Sequence, residues 1–177
     1  MSEIGIYFGT DTGTTRLIAK KLARKLGDAA AKPVNVNRAD VDAFLAHDVL
    51  ILGTPSYGFD QLPGKSTGIA AGSWEEFLPE LEIIDFSGKT VALYGLGDQN
   101  KYSDQFVHAM IHLYRFFKER GARLIGRWPV ESYTFEYSQS VVDGQFVGLV
   151  LDQQNQSLLS EQRMDQWLTQ IQSELAG

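Results

Sequence analysis

The sequence predicts an α/β fold: a doubly wound parallel sheet with helices on both faces. Three observations carry this. The apolar runs at residues 49–53 and 90–94 are continuous rather than alternating, as strands buried on both faces require. Other stretches place apolar residues at helical spacing, as Ile18, Leu22 and Leu26 do. Strand and helix patterns alternate along the chain, which implies right-handed crossovers between parallel strands. The 177 residues suit one domain, 1–177, with a substantial core.

In order, an apolar strand at 4–8 gives way to a small polar loop and a helix. Residues 33–37 alternate like a short edge strand. Asp40 is placed to cap a short helix carrying Val41, Phe44 and Leu45. The strand at 49–53 breaks into Thr54-Pro55-Ser56-Tyr57-Gly58-Phe59-Asp60. A patch of Gly, Ala, Ser and Thr at 64–72 follows, and Ser73-Trp74-Glu75-Glu76 reads as a capping box opening a helix. The strand at 90–94 ends in Gly95-Leu96-Gly97-Asp98-Gln99-Asn100-Lys101-Tyr102. A helix is expected over about 104–120, burying Phe106, Met110, Leu113 and Phe117 and ended by Gly121. A strand at 123–128, a polar and aromatic excursion at about 129–145, and an apolar run at 146–151 come next. A last helix from near Ser160 is expected to bury Met164, Trp167, Leu168 and Ile171.

Composition narrows the function. The net charge of -6 argues against nucleic acid as a partner. No apolar run reaches the roughly 20 residues that span a bilayer, and the strand that follows Met1 at once leaves no room for a signal peptide. With no Cys there is no disulfide, thiol nucleophile or thiolate metal site; a cytoplasmic location is expected. Nine acidic residues against Lys65 alone fall between Asp40 and Asp85, whereas the first helix carries Arg16, Lys20, Lys21, Arg24 and Lys25. Such asymmetry can orient encounter with a charged partner, although solvated faces would look the same.

The first loop, Thr10-Asp11-Thr12-Gly13-Thr14-Thr15, has the order strand, polar loop, helix start. Unpaired N–H groups and the positive end of the helix dipole can hold a phosphate there without Lys or Arg. By itself it reads equally as a turn with a Thr cap. In open parallel sheets ligands bind beyond the carboxyl ends of strands, and all three unusual loops would lie on that edge. Tyr57 and Tyr102 on two of them suit a flat aromatic ligand with a phosphate tail, and Gly95 and Gly97 would let the backbone approach it.

These loops, with Thr54-Pro55-Ser56-Tyr57-Gly58 and Gly95-Leu96-Gly97-Asp98-Gln99, resemble the FMN phosphate loop and the two isoalloxazine loops of flavodoxins. The resemblance extends over the whole chain, including Asp143-Gly144-Gln145-Phe146-Val147-Gly148 and Asp152-Gln153-Gln154-Asn155-Gln156. The excursion at 129–145 looks like the insertion in the last strand of the long-chain class, and the region of Trp74-Glu75-Glu76-Phe77-Leu78-Pro79 with the 64–72 patch is similar to flavodoxins that serve nitrogenase. The resemblance implies a five-stranded sheet in order 2-1-3-4-5 with the last strand interrupted. It implies noncovalent FMN cycling through quinone, semiquinone and hydroquinone, with no catalytic residue and no metal. Thr10, Asp11, Thr12, Gly13, Thr14 and Thr15 would hold the phosphate. Thr54, Pro55, Ser56, Tyr57 and Gly58 would form the second loop, with Tyr57 and Tyr102 flanking the ring and the Gly58 peptide turning to meet N5–H. Gly95, Leu96, Gly97 and Asp98 would meet the pyrimidine edge, and Asp143 the ribityl chain.

The expected partners are redox proteins that dock at the flavin edge: flavodoxin reductase or another donor, and nitrogenase reductase or another acceptor. A monomer is expected. A phosphate held without cationic side chains, with Asp60, Asp98 and Asp104 nearby, should make the second couple strongly reducing. Lys101, which stands where relatives usually have Gly, and Phe59, Asp60 and Gln61, which replace Glu, Gly and Glu of the most similar flavodoxins, depart from the pattern. Competing readings are a flavodoxin serving a radical enzyme or monooxygenase, and an FMN-dependent quinone reductase. A phosphoacceptor domain fails for lack of the acidic cluster and the Asp it needs. His47, His108 and His112 offer no evident third zinc ligand.

Overall fold

The computed structural model describes residues 3–10, 13–56 and 60–177. The expected site residues Asp11, Thr12, Tyr57 and Gly58 lie outside the described residues, as does Phe59. Strands β1 (Gly5–Phe8), β2 (Val34–Asn35), β3 (Val49–Pro55) and β4 (Thr90–Leu96) run parallel in the order β2-β1-β3-β4. The fifth lane is shared. β5 (Arg123–Ile125) pairs with Thr90 to Ala92 of β4, and β9 (Leu149–Leu151) pairs with Tyr94 to Leu96. Between those halves, β6 (Trp128–Pro129), β7 (Val141–Val142) and β8 (Gln145–Phe146) form a small antiparallel sheet. The expected order and the interrupted last strand are both present.

Among the described residues five α-helices cover the sheet: α1 (Thr14–Leu26), α2 (Val41–Leu45), α3 (Trp74–Phe77), α4 (Met110–Glu119) and α5 (Ser160–Ala176). Two adjacent residues of β4 show both faces in use. The Tyr94 hydroxyl donates to the Thr15 carbonyl of α1 at 2.9 Å, while a side chain at Gly95 would meet Met110 of α4; neighbours on a strand point to opposite faces. α1 is tied to α5 by Lys21–Glu161 (3.0 Å) and by Lys25 to Glu161 and Asp165 (both 2.8 Å). On the other face the rings of Phe44, Phe77, Phe86 and Phe117 pack edge to face or tilted, a favoured arrangement. The Asp40 carboxylate caps α2 by accepting from Ala43 N–H at 2.9 Å, as expected.

Three elements differ from the sequence expectation, each for a local reason. α4 begins at Met110, not near 104, because residues 103–109 dock the insertion. Phe106 N–H donates to the Tyr137 carbonyl at 3.2 Å, and Ser140 Oγ donates to the Val107 carbonyl at 2.6 Å. Val107 takes a φ of 47°, a strained value for a β-branched residue, which separates this segment from the helix. The 146–151 run divides, with Phe146 joining the small sheet. A side chain at Gly148 would come within 2.2 Å of the Leu93 carbonyl oxygen. The capping box at α3 is half formed: the Glu76 carboxylate accepts from Ser73 N–H at 2.7 Å, whereas Ser73 Oγ is buried and without a hydrogen-bond partner.

Candidate functional site

The carboxyl edge of the sheet carries a cavity of about 360 Å³ lined by Thr14, Leu96, Gly97, Asp98, Lys101, Tyr102, Gln153 and Gln154. It joins the first loop, the loop after β4 and the chain after β9. That volume falls in the range of small-molecule sites.

At the first loop, Thr10 Oγ1 accepts from Gly13 N–H at 2.8 Å. Gly13 precedes α1 with φ 96°, a left-handed conformation that suits glycine, and as the N-cap it has no side chain to cap the helix. The first ladder bond is Leu17 N–H to the Gly13 carbonyl at 3.1 Å, so the amides of the first turn precede the ladder. That turn contains no acidic residue. Thr15 is fully buried, and its Oγ1 has no hydrogen-bond partner. A buried hydroxyl left unmatched costs about 1–3 kcal/mol.

The loop after β4 is folded in advance by its own side chains. Asp98 Oδ1 accepts from the N–H groups of Asn100 (3.1 Å) and Lys101 (2.9 Å) and from Asn155 Nδ2 (2.8 Å). Burial pushes the Asp98 carboxyl up, but the Lys101, Asn155 and Asn100 hydrogen bonds outweigh it and hold it below the usual carboxylate range. Tyr102 N–H reaches the Asp98 carbonyl at 2.9 Å, leaving the half-buried ring at the cavity wall. The Lys101 ammonium lies 5.4 Å from that ring's centroid, a cation–π contact.

Gly95 and Leu96 belong to β4 rather than to the loop. A Cβ at Gly95 would meet Met110 Sδ at 3.2 Å, and one at Gly97 would meet Val107 Cγ1 at 2.7 Å and Phe106 at 2.9 Å. The room these glycines leave is taken by the protein side, not by the cavity. Thr54, Pro55 and Ser56 are buried at the end of β3. Ser56 N–H donates to the Leu96 carbonyl at 3.1 Å, and its Oγ accepts from Ala109 N–H at 3.3 Å, which fixes the start of the second loop. Asp143 does not line the cavity. It is exposed and forms, with Gly144, the tip of the β7–β8 hairpin at φ values of 51° and 81°. A two-residue turn with both φ positive is where Asp-Gly is preferred.

Asp152, seen in the sequence only as part of a motif, is the hub of the site. It is fully buried and every partner is a donor. Oδ2 accepts from Gln99 N–H (2.9 Å), Gln99 Nε2 (2.8 Å) and Asn155 Nδ2 (2.9 Å); Oδ1 accepts from Gln154 N–H (3.1 Å) and Asn155 N–H (3.0 Å). Gln99 Oε1 in turn accepts from Thr134 N–H of the insertion at 2.7 Å. The one legible signal was the short acid two and three residues before backbone amides, an Asx turn.

The histidines serve other ends. His47 Nδ1 donates to the Glu3 carbonyl at 2.8 Å, His108 Nδ1 accepts from Gln139 N–H at 3.2 Å, and His112 Nε2 donates to the Asp60 carbonyl and carboxylate at 3.1 and 3.3 Å. Among the described residues no cluster of His, Asp and Glu could hold a metal, and no helix is long and apolar enough to cross a membrane.

The flavodoxin family model matches residues 6–167. A flavodoxin of Klebsiella pneumoniae is 50% identical over 171 residues, covering 97% of both chains, and flavodoxin 1 of Escherichia coli K12 is 38% identical over 176 residues, covering 99% of this chain and 96% of its own. The crystal structure of a Fusobacterium nucleatum flavodoxin bound to flavin mononucleotide superposes with a TM-score of 0.87 at 33% identity, covering 98% and 99% of the two chains. On its fold, its loop arrangement and these relatives, the chain belongs to the flavodoxin family, whose members are electron-transfer proteins rather than enzymes.

Proposed function

We propose that this chain is a single-domain, monomeric, low-potential carrier that holds FMN in the cavity at the carboxyl edge and exchanges one electron at a time with docked redox proteins. The observation that carries it is the union, in one cavity, of Thr14 at the start of α1 with Gly97, Asp98 and Tyr102. The buried, partnerless Thr15 hydroxyl supplies the fit at the phosphate end. When bound, FMN supplies the one-electron chemistry. The residues of the chain bind and orient it: Thr10 through Thr15 receive the phosphate, Tyr102 and Tyr57 cover the ring faces, and Gly58 offers its backbone. Leu96 to Asp98 present main chain to the ring edge, with Thr54 to Ser56 holding the second loop.

Purified protein should be yellow with one FMN per chain, and reductive titration should proceed in two separate one-electron steps. A protein that neither retains nor takes up FMN would end this reading.

Nitrogenase reductase is the proposed acceptor and flavodoxin reductase the proposed donor, both in the cytoplasm. Support for the acceptor rests on the 64–72 patch and its similarity to flavodoxins that serve nitrogenase. That patch folds back on α3: Ser66 N–H donates to Glu75 at 2.9 Å and Lys65 N–H to Glu76 at 3.2 Å. Beside it lies an apolar groove of about 460 Å³ over Trp74, Leu78 and Phe116, rimmed by Asp60, Glu75 and Glu82 together with His112 and Arg120, a surface suited to docking with a border of mixed charge. The reduced protein should reduce nitrogenase reductase faster than it reduces a radical-enzyme or monooxygenase partner; the reverse ranking would favour the general carrier.

A further inference from the structure

Away from the FMN cavity, a second cleft of about 420 Å³ opens between α1 and the edge strand β2, lined by Phe8, Arg16, Lys20, Lys32, Pro33 and Arg38. It shares no lining residue with the first cavity. We propose that this cleft binds a small multivalent oxyanion of the phosphate or pyrophosphate class.

Four cations from three segments converge there: Arg16 and Lys20 one turn apart on α1, Lys32 before β2, and Arg38 in the 3-10 turn at residues 36–38. Among the described residues no carboxylate lines the cleft and none of the four cations is ion-paired. The contrast within α1 is sharp. Lys21 and Lys25, on the same helix, both reach acids of α5. A chain of net charge -6 thus leaves four like charges facing one concavity, where their mutual repulsion is relieved by a bound anion. Arg16 is also oriented, with its guanidinium carbon 5.7 Å from the centroid of the buried Phe8 ring. A guanidinium held by its face keeps its edge donors for bidentate contact with an oxyanion. The cleft has the volume of a small-molecule site, while its six residues fall well short of the roughly 20–30 a side of a protein interface.

The test uses the purified full chain, its flavin content recorded first. Inorganic pyrophosphate is titrated at constant ionic strength, balanced with sodium chloride, while backbone amide chemical shifts are followed. Saturable shifts confined to residues 8, 16–20 and 32–38 are expected, with phosphate binding more weakly than pyrophosphate. Arg16→Gln and Arg38→Gln should each weaken binding about tenfold, as loss of a charge-assisted hydrogen bond implies. Lys21→Gln, on the same helix but outside the cleft, should leave it unchanged. Shifts that follow ionic strength alone, shifts centred on residues 10–15 and 97–102, or an affinity indifferent to Arg16→Gln would overturn the proposal. Tighter binding of polyglutamate at equal charge would overturn the small-anion class.

Discussion

Asp152 offers the most stringent test of how the cavity is held. Its carboxylate collects five donors, two of them from the buried Gln99, and joins the loop after β4, the chain after β9 and, through Gln99, the insertion. Asp152→Asn keeps the volume but turns one end of the group into a donor. In the better orientation Nδ2 replaces Oδ1 and faces the Gln154 and Asn155 amides; the three bonds on the other end survive but lose their charge. With hydrogen bonds to a charged group contributing about 1.5–3 kcal/mol each and partly buried amides recovering some water, the loss comes to about 2–4 kcal/mol. Asp152→Ala removes both acceptor oxygens, and with them all five hydrogen bonds, and strands the Gln99 amides, for about 3–5 kcal/mol, comparable to breaking a buried charged pair. Urea unfolding of the FMN-free protein measures this. The Asn variant should also lose about 5–15 °C in Tm, scaling at about 2–4 °C per kcal/mol for a chain of this size. FMN affinity should fall with it, because Gly97, Asp98, Gln153 and Gln154 line the cavity that Asp152 ties together. An Asn variant within about 0.5 kcal/mol of the parent, the range of ordinary surface substitutions, would refute the hub.

Three further outcomes follow from the same geometry. Tyr102→Ala should weaken FMN binding by about 1–3 kcal/mol through lost ring burial and stacking, read by fluorescence titration; an unchanged Kd would remove Tyr102 from the site. Lys101→Gln should make the second one-electron couple more negative, because the ammonium beside the Tyr102 ring favours added negative charge at the cavity; a shift to more positive potential in spectroelectrochemical titration would contradict this. His108, nearly buried, has its pKa pushed below the usual imidazole value of 6.5 by burial, against the opposing pull of Asp60. Its Nδ1 accepts the Gln139 N–H, so protonation there would set donor against donor. The folded chain therefore favours neutral His108. Stability from this source is present above pH of about 6.5 and is lost as pH falls through the lowered folded value, so Gln139 amide exchange should show a drop in protection between pH 7 and 5 that His108→Gln abolishes.

The buried faces of α4 and α5 and the central strands were legible because continuous apolar runs and helical spacing report burial directly, whereas the sheet order and the interrupted last strand came only with the resemblance to flavodoxins. The sequence could not place the start of α4. Phe106 is buried whether it stands on a helix or on a docking segment, and only the insertion's hydrogen bonds to residues 106 and 107 decide between them. Gly95 and Gly97, at the end of β4 and in the loop after it, were legible as places needing room, but not as to whose room it was. The side chains of Phe106, Val107 and Met110 fill it. Asp143 shows the same ambiguity: Asp-Gly is equally a ligand contact or the turn that a hairpin demands, and the positive φ values of both residues supply the turn.

The first helix resolves a tension that its sequence sets up. It carries five cations yet begins at the loop proposed to hold a phosphate, where added positive charge would stabilise a reduced, anionic cofactor and raise the potential of the second couple. Lys21 and Lys25 are spent on Glu161 and Asp165 of α5, and Arg16 and Lys20 line the β2 cleft rather than the FMN cavity. Four of the five charges are thus directed to two places away from the cavity, the fifth, Arg24, lies in the last turn, and of the first turn only Thr14 lines the cavity. Lys101 is the one cation that does line the cavity among the described residues, and it lies against the Tyr102 ring. On this arrangement the reducing power of the second couple depends more on position 101 than on the helix whose start is proposed to receive the phosphate. Substituting Lys101 should therefore move that couple further than neutralising Arg16 or Lys20, although those two are nearer in sequence to the phosphate loop.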